Sequence, residues 1–254
     1  MSGTVWISSV PLRCAKGAED RPIGNRGVSM TDQVWVSRVM SNYQIGMKQG
    51  LRAKFYGQDW NPAEFVIPLP SDQVSAASER HFQGETLERS DFTEAAAVWA
   101  EKNFSRVKDI FTAGPFYAVK GKLADVLSRF DLGAGGLIPF TIYRADLVTP
   151  LEEKFFLLNF GGPKDSFAPE ESNTKCTRQM FVDKQTGRPM WDVNPHAGGD
   201  LALSPAALEG ADLWCEKTVF NTLFMSDALA AALRAAKIKI DFELMTCRIV
   251  EPAQ

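Results

Sequence analysis

The sequence is poor in the residues that chemistry most often needs. Its 254 residues include two histidines, His81 and His196, and four cysteines, Cys14, Cys176, Cys215 and Cys247. The cysteine gaps are long and irregular and no C-x-x-C occurs. That excludes a dense secreted disulfide scaffold and gives zinc no closely spaced ligand pairs, so reduced and mostly buried thiols are expected. No apolar run approaches the ~20 residues of a membrane helix. The first 20 residues lack the basic start and unbroken apolar stretch of a signal peptide, which predicts a cytoplasmic protein with no membrane partner. No long Lys/Arg run is present and the net charge is −3, so a nucleic-acid partner is not expected.

Catalytic signatures are missing as well. There is no G-x-S-x-G elbow and no G-x-x-x-x-G-K-[ST] loop. S-x-x-K occurs at Ser105–Lys108 and Ser172–Lys175 without its companion motifs. The Gly133–Gly136 cluster follows a helical pattern instead of opening one, which suits a helix end better than a phosphate cradle. Gly161 and Gly162 follow a strand, with too little around them for an anion site. The pairs Glu152/Glu153 and Glu170/Glu171 are sequence neighbours whose side chains diverge, so they read as exposed charge. One polar cluster remains: Asp192, His196 and Asp200 beside Trp191, in a Pro/Gly-rich loop. As a site it would supply an acid/base pair or metal ligands. Four-residue spacing aligns ligands only on a helix, which Pro195, Gly198 and Gly199 oppose. The default reading is a surface loop, with no catalytic residue, metal or cofactor assigned. Trp191, Asp192, His196 and Asp200 stand as binding candidates.

What is present is ordinary globular material, 45% apolar and 23% charged, with 17 Phe and 6 Trp. Residues 1–30 read as a flexible leader or a start-site extension. Residues 5–10 and 34–39 are similar, so either two like strands exist or Met30 is the natural start. Residues 31–110 read as the N-terminal part of one continuous unit with a core at 111–254. Strands are expected at 34–39, 65–70, 116–119, 137–143, 154–160 and 238–249. Residues 178–182 and 189–193 flank a D-K-Q-T-G turn and read as a hairpin. Helices are expected from Asp91 or Thr93 to about 107, at 122–130, and from Asp227 with Ser226 as its cap. Residues 71–90 read as loop. The 116–143 segment returns at 223–249, with Val119, Leu123 and Leu127 aligned to Met225, Leu229 and Leu233. The fold class is therefore α+β, with a largely antiparallel sheet, a few packed helices and a duplicated strand–helix–strand unit.

From about 111 to 249 the chain resembles the bacterial DUF1629, or Imm11, family of immunity proteins. The resemblance is carried by FTAGP at 111–115, VKGKLADVLSRFDLGAGGLIPFTIY at 119–143, FFLLNF at 155–160 and LFMSDALAAALRAAKIKIDFEL at 223–244. Lys120 departs from it, since a Ser-type cap is more usual there. The resemblance implies an immunity protein that binds a cognate toxin, made from a neighbouring gene, and neutralises it by non-covalent occlusion. It carries over no catalytic residue. Two other readings stay open: an enzyme using the Asp192/His196 loop, and a small-ligand-binding module.

Overall fold

In the computed structural model the described residues are 33–46, 50–61, 71–184, 186–238 and 240–251. Cys14, residues 1–32 and the strand expected at 65–70 lie outside them. In chain order the elements are β1 (Val34–Ser37), β2 (Arg52–Lys54), α1 (Asp72–Phe82), β3 (Ala95–Ala97), α2 (Glu101–Phe104), β4 (Ile110–Ala113) and β5 (Phe116–Lys120). Then come α3 (Gly121–Leu127), β6 (Gly136–Phe140), β7 (Ile142–Tyr143), β8 (Phe155–Asn159), β9 (Thr177–Val182) and β10 (Pro189–Val193). The chain continues through β11 (Ala202–Leu203), β12 (Leu213–Trp214), β13 (Leu223–Ser226), α4 (Asp227–Ala236), β14 (Met245–Thr246) and β15 (Arg248–Ile249).

The fold is α+β, and its sheet is divided. Two four-stranded antiparallel sheets run in the orders β4-β5-β8-β6 and β12-β13-β1-β14. They share one plan. The second strand of each (β5, β13) runs directly into a helix (α3, α4). The strand after the helix (β6, β14) then sits beyond an inserted strand. The duplication read from apolar spacing is thus visible as sheet order. The inserted strands differ in origin, since β8 follows its unit while β1 precedes every other element among the described residues. The aligned residues Val119, Leu123, Leu127, Met225, Leu229 and Leu233 all lie in one core cluster, where α3 packs on α4.

Smaller pairings surround this frame. β2 pairs antiparallel with β3, and β3 parallel with β7. β9 and β10 form the expected hairpin, and β11 lies parallel to β15. The 137–143 strand is two strands: β6 serves β8, while β7, one residue later, serves β3.

Three expectations are corrected. Residues 71–90 hold helix α1, capped by Ser71, whose hydroxyl accepts from the Val74 N–H at 3.3 Å. Its buried stripe is Val74, Ala77 and His81, and the histidine that ends it conceals the apolar period. The helix expected from about 91 to 107 is strand β3 followed by the one-turn α2. Ala95, Ala96 and Ala97 favour helix intrinsically, but here they fill a buried position between β2 and β7, and tertiary packing overrides propensity. The strand expected at 238–249 is broken. Lys237 and Glu243 both take left-handed backbone, and only the short β14 and β15 form.

No helix among the described residues is long and apolar enough to cross a membrane.

Candidate functional site

The loop that follows β10 holds the four candidates from the sequence. Trp191 is half-buried, edge-on to Phe167 with ring centroids 6.3 Å apart. Asp192 pairs with Arg178 across the hairpin at 3.3 Å. Asp200 is turned onto its own loop. One carboxylate oxygen accepts from the N–H groups of His196 and Ala197 at 2.8 and 2.9 Å, and the other from the Asn173 amide at 2.8 Å. The Asn173 bond, reinforced by the two backbone donors, holds this carboxyl below its usual range. His196 is exposed. The four residues are therefore neighbours, but Asp200 closes a turn and Asp192 braces a hairpin. Among the described residues no group of three or more His, Cys, Asp or Glu side chains is placed to hold a metal ion.

The side chains with strongly perturbed surroundings lie elsewhere, at positions that no motif marks. Glu216 is buried with both oxygens filled. It accepts from the Ser166 N–H (2.7 Å), the Phe167 N–H (3.1 Å), the Ser166 hydroxyl and the Trp214 indole N–H (2.8 Å). Lys164 lies over the other face of this arrangement. Its ammonium is 3.4 Å from the Trp214 ring centroid and donates to Ala207 O at 2.9 Å. Burial pulls its pKa down to about 8 against the opposing pull of Glu216, Asp212, Glu209 and Asp131. Both Glu216 oxygens and the Lys164 ammonium find partners within the protein, so the cluster fastens the 164–167 segment to β12 and its following turn. Lys120 is similar: nearly buried, it pairs with Glu153 at 2.8 Å. Glu153, read as solubilising charge, therefore has a specific partner.

The glycine clusters prove to be a crossing point. A Cβ on Gly161 would lie 1.9 Å from Leu132 O, and one on Gly135 would lie 2.2 Å from Asn159 O. The two loops touch backbone to backbone, which only glycine allows. Cys176, Cys215 and Cys247 are free and buried. Burial pushes the Cys215 thiol up to about 12 and raises the other two as well.

Two surface features stand out. A groove of about 700 Å³ runs beside the end of α4, with Leu233, Ile240 and Phe242 in its floor and Arg234, Lys237, Asp241 and Glu243 among its lining. The second is the outer strand of the hairpin. Met180, Phe181 and Val182 are consecutive and 45%, 50% and 50% exposed. Phe220, whose N–H donates to Trp191 O beside β10, is also exposed, whereas Trp214 is fully buried. The sequence did carry a signal for β9. Three apolar neighbours in a two-stranded hairpin cannot all face one core, because successive side chains alternate.

Compared with known proteins, the chain matches no protein-family profile and no curated protein.

Proposed function

We propose that this protein acts by binding another protein, and that the partner is a cognate bacterial toxin domain neutralised by occlusion in the cytoplasm. One observation carries the binding reading: the exposed row Met180, Phe181 and Val182 on β9. Large apolar side chains grouped on a rigid hairpin are the usual anchors of a protein contact, and covering them returns about 25 cal/mol per Å² of apolar surface. The partner class is drawn from the resemblance of residues 111–249 to the Imm11 family. In this reading the protein has no chemistry of its own and needs no cofactor, and the candidates Trp191, Asp192, His196 and Asp200 serve by shaping the hairpin base.

Co-expression with the product of the neighbouring gene is the test. Rescue from toxicity together with a co-purifying complex is the expected result. The absence of both rescue and complex would remove the toxin reading. The groove beside α4 supports a second reading, since its size falls within the range of small-ligand sites. Narrowing it with Ile238→Trp, at a half-buried lining residue, would leave toxin rescue unchanged on the favoured reading; the second reading expects no rescue, and loss of small-ligand binding in this variant.

A further inference from the structure

β9 is the outer strand of a two-stranded sheet. Its inner side is held by β10, and β10 is itself covered on its far side. The Trp191 N–H donates to Thr218 O at 2.8 Å, and Trp191 O accepts from the Phe220 N–H at 2.9 Å. In an antiparallel ladder, directly opposed residues turn their N–H and C=O groups either toward each other or both away. Trp191 turns its pair away from β9. Gln179, which lies opposite it, therefore also turns its N–H and C=O outward, to the open side. The register shift between Met190 and Trp191 places Met180 in a bulge next to it. The result is an edge that offers directional backbone groups beside exposed apolar side chains.

We propose that β9 takes an extended segment of a partner protein as a third strand, and that this segment has an apolar centre flanked by carboxylates. The proposal rests on the protein-binding reading above and gives it a geometry. Charge selects the occupant. Residues 175–193 hold Lys175, Arg178, Lys184 and Arg188 against Asp183 and Asp192, and although Arg188 pairs with Asp165 at 2.6 Å the hairpin keeps an excess of positive charge in a chain whose net charge is −3. Arg178 and Lys184 bracket the apolar run, so acidic ends on an added strand meet opposite charge on both sides. The Arg178 side chain is 74% exposed even while paired with Asp192, and it can reach a second carboxylate.

The same charges disfavour a second copy of this chain. Antiparallel self-pairing centred on Phe181 sets Arg178 of one copy opposite Lys184 of the other, and centring on Met180 makes them diagonal neighbours. Size agrees. Six residues of strand extend about 20 Å, which suits the short segments used in strand addition. A stable dimer interface takes about 20–30 residues a side. Charged ends and a bulge are also the means by which an edge avoids aggregation, and an edge that is only protected binds no strand at all.

The full chain can be titrated with two labelled nine-residue peptides, followed by fluorescence anisotropy. Both have a Thr-Val-Ile-Val-Thr centre; one carries two Glu at each end, the other two Lys. The Glu-ended peptide is expected to bind about tenfold tighter or better. Gln179→Pro removes one outward N–H without touching the inner ladder, a position where proline is tolerated. It is expected to lose that binding at an unchanged thermal midpoint. Arg178→Glu with Lys184→Glu is expected to reverse the preference, and this variant decides the matter should Gln179→Pro not fold. No binding, equal binding of both peptides, or an unreversed preference would overturn the proposal. So would a concentration-dependent dimer that Gln179→Pro abolishes. A neighbouring-gene product still held by folded Gln179→Pro would sink strand addition and leave the protein-binding reading. Peptide binding without any such complex would sink the toxin reading and leave strand addition standing.

Discussion

His81 is fully buried with five aromatic rings around it, those of Phe82, Phe92, Phe116, Tyr117 and Phe160, at centroid distances of 5.2–5.9 Å. Its Nε2 accepts from the Tyr117 N–H at 3.1 Å, so the neutral ring carries its proton on Nδ1, which has no hydrogen-bond partner. Burial lowers its pKa to about 3. Below the ordinary value of 6.5 the unfolded chain therefore binds a proton that the folded chain refuses. Stability is lost as pH falls from 6.5 toward 3, at about 1.4 kcal/mol per pH unit from this group. Between pH 6.5 and 5 the His81→Gln variant, which keeps an acceptor for Tyr117, is expected to lose about 2 kcal/mol less than the wild type in urea titrations. Equal slopes would show that His81 is not the acid-sensitive group. At Glu216 the direction is simpler. Glu216→Ala strands four donors in a buried site and is expected to cost about 3–5 kcal/mol.

At the scale of elements, the crossing of the 131–136 and 159–162 loops gives the sharpest prediction. Gly161→Ala must force the backbones apart, since its Cβ would stand 1.9 Å from Leu132 O, and it is expected to cost more than about 4 kcal/mol in thermal or chemical unfolding. Gly46→Ala, whose Cβ would meet nothing closer than 3.6 Å, is the neutral control. Ser226→Ala removes the hydroxyl that accepts from the Leu229 N–H and is expected to cost about 1 kcal/mol. That cap, the α4 stripe, β5, β8, β13 and the β9–β10 hairpin were legible in the sequence because each is a local pattern: a period, a cap or a turn. α1 and β3 were not. α1 hides its period behind a buried histidine, and the three alanines of β3 become strand only because β2 and β7 lie on either side. The candidate surface was half legible. The hairpin could be read, but which of its strands lies open depends on the 218–220 segment covering β10, a contact remote from β9 in sequence.

Across the whole molecule, two sheets of the same order share one core through α3 and α4, and the second is completed by a strand from the other end of the chain. β1 lies between β13 and β14, hydrogen-bonded to both. It is locked there by side chains too. The Trp35 indole donates to Asp227 at 2.8 Å, the Arg234 guanidinium lies 3.8 Å over the Trp35 ring, and the Ser37 hydroxyl donates to Phe242 O. Removing residues up to 37 is expected to abolish cooperative unfolding of the remainder, because β13 loses a central partner and β14 loses its only neighbour in that sheet. A sharp, wild-type-like melt of the shortened chain would contradict this.

The Trp35–Asp227 contact spans 192 residues of chain. On a ribosome the central strand of the second sheet emerges long before its two flanking strands. Over that interval the apolar strand has no seat. The sheet closes only once β13 and β14 have also been made, which makes the partly synthesised chain a natural client for chaperones.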